Sequence, residues 1–363
     1  MTGYVLILVW VAFVALVNAS GILNRTEMVC GQQVRRMRPF YAVIVFLPLV
    51  IWAGFRGDVF DTVGYKMAFQ KMPSTLAAIP AYMTEVTKDR GFSLFSVLWK
   101  CIFGDNVEVY FLIIAAIQAY FLIKVYRKYS PHYMLTFFLF IASTDYIAWM
   151  FNGMRQFLAV TIVFGCFEWI LKKKYVPAII VILLASQIHG SALLMIPFLF
   201  IAQGEAWNTK TLMFLVATVL AVAFAGNLTN LLDTALIDTQ YKTVVSDWQA
   251  WEDDGTNVLR VLVYSVPALL SWFGRRRIKR IKEPVINLCT NMSIVSAGLY
   301  LMSMFTSGVF IGRLPIYFSL YSYILLPWEI DNLFSKRMGK MIFLAMMIGY
   351  LLFYYIHLQF VGG

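Results

Sequence analysis

Four short clusters hold the residues of this chain whose types and spacing suit chemistry. The first is Phe55-Arg56-Gly57-Asp58-Val59-Phe60-Asp61-Thr62-Val63-Gly64-Tyr65. If helical, it puts Asp58, Asp61 and Tyr65 on one face at i, i+3 and i+7. A carboxylate there could take a hydroxyl's proton while Arg56 holds an anion; the plainer alternative is an interfacial helix with an Arg–Asp pair. The second is Asn152-Gly153-Met154-Arg155-Gln156. Arg155 falls in the first turn of a predicted helix, where backbone N–H groups favour anions and a cation is poorly placed without an anionic partner. Its planar fork of donors suits phosphate oxygens, with a snorkelling arginine as the alternative.

The third cluster is Gln187-Ile188-His189-Gly190-Ser191, between two short apolar segments. Histidine changes protonation near neutrality, so His189 could be a base or a hydrogen-bond donor to a leaving group. The fourth is Gly312-Arg313-Leu314-Pro315-Ile316-Tyr317-Phe318. Pro315 suits the first turn of a helix, and Arg313 and Tyr317 stand one helical turn apart. Several arginines converging on one side match a pyrophosphate better than a neutral solute. A structural cap or a lipid-headgroup contact is the alternative for Arg313.

The elements that must position these clusters are membrane helices. The 363 residues are 61% hydrophobic and only 13% charged, with mean hydropathy +0.73. Apolar runs of near 20 residues recur, as spanning helices require. Continuous apolar runs lack the alternation of a barrel strand, and in hydrocarbon only helices and closed barrels satisfy the backbone. The pattern predicts about twelve segments, near 4–22, 39–55, 107–126, 133–150, 153–171, 175–188, 190–203, 210–226, 258–273, 285–308, 314–330 and 338–357. Those around Asn152 and His189 are candidates for broken or re-entrant spans, which leaves the number at about 10–12.

Charge then orients the chain. Twenty of the 30 basic residues, but only six of the 19 acids, fall in alternate loops, the densest being Arg275–Lys282. By the positive-inside rule those loops are cytoplasmic. Both termini and all four clusters are then expected outside. Glu168, Glu329 and Asp331 are inner-side acids expected to pair with nearby Lys or Arg. The whole chain reads as a single integral-membrane domain, 1–363. A long outer loop at 56–106 is expected to hold short interfacial helices, and a second outer loop spans 227–257.

Several function classes drop out. The net charge of +11 is spread over separate loops, which speaks against nucleic acid and for membrane lipid as the surroundings. The four cysteines and three histidines show no zinc or disulfide spacing. No metal site or soluble cofactor is expected, and there is no phosphate-binding loop. Residues 1–18 lack a positive leading stretch and read as a retained first span. No internal repeat is evident, which weakens an inverted-repeat transporter.

The ordered set of Arg56, Asp61 and Tyr65, then Gly91-Phe92, then Asn152, Arg155 and Gln156, then His189 and Ser191, then Arg313 and Tyr317-Phe318 resembles the EpsG family of Wzy-like exopolysaccharide polymerases. The likeness runs over most of the chain. At Asp89-Arg90-Gly91 the acid stands one residue from its expected place beside the glycine. The resemblance implies an all-α polytopic membrane glycosyltransferase of GT-C-like build with short extracytoplasmic helices, in the cytoplasmic membrane of a bacterium. It implies a polyprenyl-pyrophosphate-linked oligosaccharide as substrate, with other polysaccharide-assembly proteins as candidate partners. Asp61 and His189 are then the candidate catalytic residues. Arg56, Tyr65, Asn152, Arg155, Gln156, Ser191, Arg313 and Tyr317 are the candidate substrate contacts. The competing readings are a flippase or transporter of lipid-linked oligosaccharide, which predicts polar residues at mid-membrane depth, and a membrane acyltransferase, which needs donor access from inside.

Overall fold

The computed structural model describes residues 2–29, 31–224 and 255–361. The protein is an all-α membrane protein with one small hairpin. Val107–Tyr129, Pro284–Met304 and Lys336–Gln359 are each long and apolar enough to cross a membrane, and two bent helix pairs raise these three to as many as five. Other segments read as spans, such as Pro39–Gly54 and Tyr175–Ser186, are shorter apolar helices. The loop at 227–257 and its acidic stretch Trp251–Gly255 lie outside the described residues, apart from Gly255–Asn257. The chain divides into two compact units, Met1–Ile196 with Met346–Gly363, and Pro197–Ala345.

In the first unit, α1 (Thr2–Ala19) leads into an antiparallel hairpin, β1 (Asn24–Val29) and β2 (Gln32–Met37), and then α2 (Pro39–Gly54). The sequence reading missed this hairpin by treating its arginines only as loop charge. In the structure Glu27 gathers them: it bonds Arg25 and Arg36 and approaches Arg127 at 3.8 Å. Burial works to raise the Glu27 carboxyl, but Arg36 and Arg25 hold it below the usual carboxylate range. Arg127 also donates to the Met37 carbonyl at 2.9 Å, which ties the hairpin to the end of α6 (Val107–Tyr129). Helix α2 lies along α6 so closely that a Cβ on Gly54 would come within 2.8 Å of Leu112. Asn106 caps α6 by accepting from the Val109 N–H at 2.9 Å.

In chain order, α2 is followed by α3 (Thr62–Lys71), α4 (Ile79–Glu85) and α5 (Arg90–Phe103) before α6. Buried Lys100 pins α5 by donating to the Phe69 and Gln70 carbonyls at 3.1 and 2.8 Å and pairing with Asp105. The next span breaks. After helix α7 (Tyr133–Ala142) the chain passes through Thr144, a buried β-branched residue at φ +66°, and turns by 75° into a π-helical stretch, Tyr146–Asn152. Left-handed backbone is unusual for threonine, and π-turns mark interruptions of this kind. The chain then runs through α8 (Met154–Phe164), α9 (Phe167–Leu171) and α10 (Tyr175–Ser186), and through a 3-10 turn, Gly190–Leu194, to α11 (Met195–Ile201). Glu168 pairs as expected, with Lys172 at 2.6 Å and with Lys128.

The second unit holds α12 (Thr209–Ala223), α13 (Val258–Phe273), the basic α14 (Arg275–Ile281) bent 71° from it, α15 (Pro284–Met304) and α16 (Ile316–Leu333). Asn291 accepts from the Trp207 N–H and donates to the Ala202 and Glu205 carbonyls, each at 3.0 Å. Ser293 and Ser322 bond across α15 and α16 at 2.8 Å. Glu329 departs from its expected pairing. It is fully buried on α16, and neither carboxyl oxygen has a hydrogen-bond partner among the described residues. Helix α17 (Lys336–Val361) closes the fold.

Candidate functional site

The C-terminal end of α2, the start of α8 and the end of α10 come together at one end of the first unit. The hairpin lies at the other end of α2. Arg56 follows directly on α2 and is only 3% exposed. It donates to the Ala53 carbonyl at 2.7 Å and to Thr62 Oγ1 at 3.0 Å, and its guanidinium lies 4.3 Å from the Phe111 ring centroid. Burial pulls its pKa down to about 10, against a smaller opposing pull from Tyr65, so it stays cationic at neutral pH. It approaches the Met150 carbonyl and Met154 Sδ at 3.5 Å each. The buried cation therefore anchors the α2–α3 corner beneath the first turn of α8.

Asp58, Asp61 and Tyr65 do not share a helix face. Phe60 adopts φ +52°, and α3 starts only at Thr62. Asp58 precedes the helix and pairs with Lys66 at 2.6 Å. Asp61 is exposed at the N-cap position but makes no side-chain capping bond. Its carboxylate is thus not committed to the helix. Tyr65 packs against the apolar cluster of Phe69, Phe92, Tyr110, Phe111, Met154 and Leu158.

Asn152 ends the π-helical stretch, its Oδ1 buried without a hydrogen-bond partner among the described residues. Gln156 is buried at 5% exposure. The α8 start is held from behind by Gln118, which donates to the Met154 carbonyl at 2.9 Å. Arg155 keeps 40% of its side chain exposed. Its Nη1 lies 3.1 Å from Asp89 Oδ2, and its guanidinium carbon 5.8 Å from the Phe92 ring centroid. Asp89 thus supplies the anionic partner that a cation in a helix's first turn lacks.

His189 caps the 3-10 turn. The Ser191 N–H points at its Nδ1 from 3.4 Å, and Ser191 Oγ lies 2.7 Å away. In the tautomer that lets Nδ1 accept from the Ser191 N–H, the ring's proton lies on Nε2. The α5 start joins this turn to Arg155: the Gly91 and Phe92 N–H groups both donate to the Gln187 carbonyl, at 2.7 and 3.3 Å. Helix α8 also packs on α10 and on the 3-10 turn.

The site therefore gathers Arg155, His189 and Ser191 around the start of α5, with Arg56 and Asn152 beside the first turn of α8. Sequence reasoning missed Gln118, named Phe92 only within the family resemblance, and left Asp89 undecided. The only local signal was the displaced acid in Asp89-Arg90-Gly91. Arg313 and Tyr317 belong to the second unit. Arg313 is exposed on the 3-10 turn Ile311–Arg313, and Tyr317 is buried at 2% in the first turn of α16. Pro315 stands at the N-cap of α16, just before the first turn expected for it. Gly312 sits against Thr256, which accepts from Ser303 Oγ at 2.8 Å. Among the described residues no three His, Cys, Asp or Glu side chains converge as metal ligands.

A family model described as the EpsG family matches residues 40–363. No curated protein and no solved structure matches the chain.

Proposed function

The chain belongs to the EpsG family, a family of Wzy-like polymerases associated with exopolysaccharide, and from that premise we propose that it joins oligosaccharide repeat units carried on polyprenyl pyrophosphate. In this reading it is a membrane glycosyltransferase of GT-C type, working at the outer face of the cytoplasmic membrane. A lipid-linked donor reaches such a site sideways between helices. The observation that carries the reading is the half-exposed Arg155 guanidinium on the first turn of α8, with the His189 turn packed beside it.

The chemistry follows from those groups. A hydroxyl of one glycan bonds through its oxygen to the anomeric carbon of another. The bond from that carbon to the pyrophosphate breaks, and its electron pair stays on the phosphate oxygen. Arg155 stabilises the charge gathering there. His189 donates its Nε2–H to the leaving oxygen, and the uncommitted carboxylate of Asp61 takes the hydroxyl's proton. Arg313 and Tyr317 are candidate contacts to the lipid-linked glycan within the second unit.

The test incubates purified protein with a polyprenyl-pyrophosphate-linked repeat unit and reads glycan length on a gel. A ladder lost in Arg155→Ala and His189→Ala, with membrane protein levels unchanged, supports the reading. With the cognate glycan confirmed present, an absent ladder together with protein-dependent movement of the lipid across vesicles would make it a transporter.

A further inference from the structure

The first turn of α5 breaks local rules in three places, and each is explained by what it touches. Asp89 stands at the N-cap, where an aspartate ordinarily accepts from the helix's own N–H groups. It makes no such bond. Its backbone sits at φ +50°, ψ 46°, a left-handed conformation that few non-glycine residues adopt. Its carboxylate, only 12% exposed, goes instead to Arg155 Nη1. The helix donors that Asp89 leaves uncapped are taken up by the Gln187 carbonyl, through Gly91 and Phe92. A side chain at 91 would close that contact off, since a Cβ there would lie 2.6 Å from Gln187 Cβ.

We propose that Asp89 is a positioning residue for Arg155. It holds one edge of the guanidinium, with the Phe92 ring beside it, so that the exposed part of the fork faces an incoming lipid pyrophosphate. The inference rests on the phosphate-binding role given to Arg155 in the proposed function. A plain surface ion pair is a poor alternative. Such pairs contribute little, whereas this one gives up a helix cap and takes a left-handed backbone to form. An arginine also has many rotamers, and ordering it before the ligand arrives removes that loss from the binding step.

The sign of one affinity change separates positioning from simple charge balance. Removing a carboxylate beside a phosphate site should tighten binding if charge alone matters. If Asp89 positions Arg155, Asp89→Asn should instead weaken binding. The experiment measures the affinity of the full-length purified protein for polyprenyl pyrophosphate without glycan, beside the ladder assay. Asp89→Asn is expected to bind about tenfold more weakly, the scale of one side chain's ordering, with melting temperature unchanged. Asp89→Glu keeps the carboxylate and should recover most of the affinity. A double variant, Asp89→Arg with Arg155→Asp, rebuilds an ion pair and should keep the wild-type melting temperature without restoring binding. Equal or tighter binding by Asp89→Asn overturns the proposal, as does restored binding in the swapped pair or no binding by the wild type. Wild-type binding that Asp89→Asn weakens, without any ladder, would uphold Asp89 and sink the polymerase reading alone.

Discussion

In the tautomer in which His189 Nδ1 accepts from the Ser191 N–H, the ring's proton lies on Nε2. That division can be tested with two amides. Glutamine places its NH2 near the position of Nε2, whereas asparagine reproduces mainly the Nδ1 side. His189→Gln should therefore retain measurable polymer, and His189→Asn should lose on the order of 100-fold, the usual scale of a positioned proton donor. Rates from quantified ladders check this, and equal loss in both variants would give His189 the role of base, since neither amide takes up a proton. The residue types at this site were legible in the chain, because arginine, histidine and aspartate are conspicuous among so many apolar neighbours. Their pairings were not. Asp89 and Arg155 are separated by all of α5 and α6 and a broken span, and no local spacing joins them. Arg56 illustrates the same limit. Its position beside a span was plain from the sequence, but its burial against Phe111 and Thr62 depends on packing that a linear reading lacks.

Among the elements, the start of α5 is tightly confined. Gly91 meets the Gln187 backbone and Cβ so closely that Gly91→Ala overpacks the contact and should destabilise the protein by about 1–3 kcal/mol. Because that contact joins the His189 turn to the helix carrying Asp89, polymer output should fall further than stability explains. Thermal melting and ladder yield on the same preparation check the two effects, and a melting point equal to wild type would mean that α5 shifts freely. Helices such as α6 were legible from long apolar runs, since hydrocarbon admits few other structures. The β1–β2 hairpin was hidden by its charge. Asn24–Val29 and Gln32–Met37 carry so many polar residues that they read as loop, and only the cross-strand bonding of Glu27 to Arg36 shows why they pair. The break after α7 was foreseen near Asn152 but begins earlier, at Thr144, where a strained backbone turns the chain.

For the molecule as a whole, the open quantity is which face of the membrane carries the site. The positive-inside rule predicts the hairpin inside and the α2–α3 corner outside. Gly57 and Gly64 have nothing within 4 Å of a built Cβ, so a cysteine fits at either. In a chain whose four native cysteines are replaced, Gly57→Cys should react with an impermeant maleimide on intact cells. An epitope inserted at the hairpin turn should be reached only after permeabilisation. The opposite pattern would invert the topology and place the site inside. The Gln187 carbonyl bears on a different question, the record that drift leaves in related chains. Position 187 contributes a main-chain oxygen and its own side chain is exposed, so its identity can wander over generations without moving α5. Position 91 has no such latitude: the fit depends on an atom that is missing there, and almost any mutation supplies it.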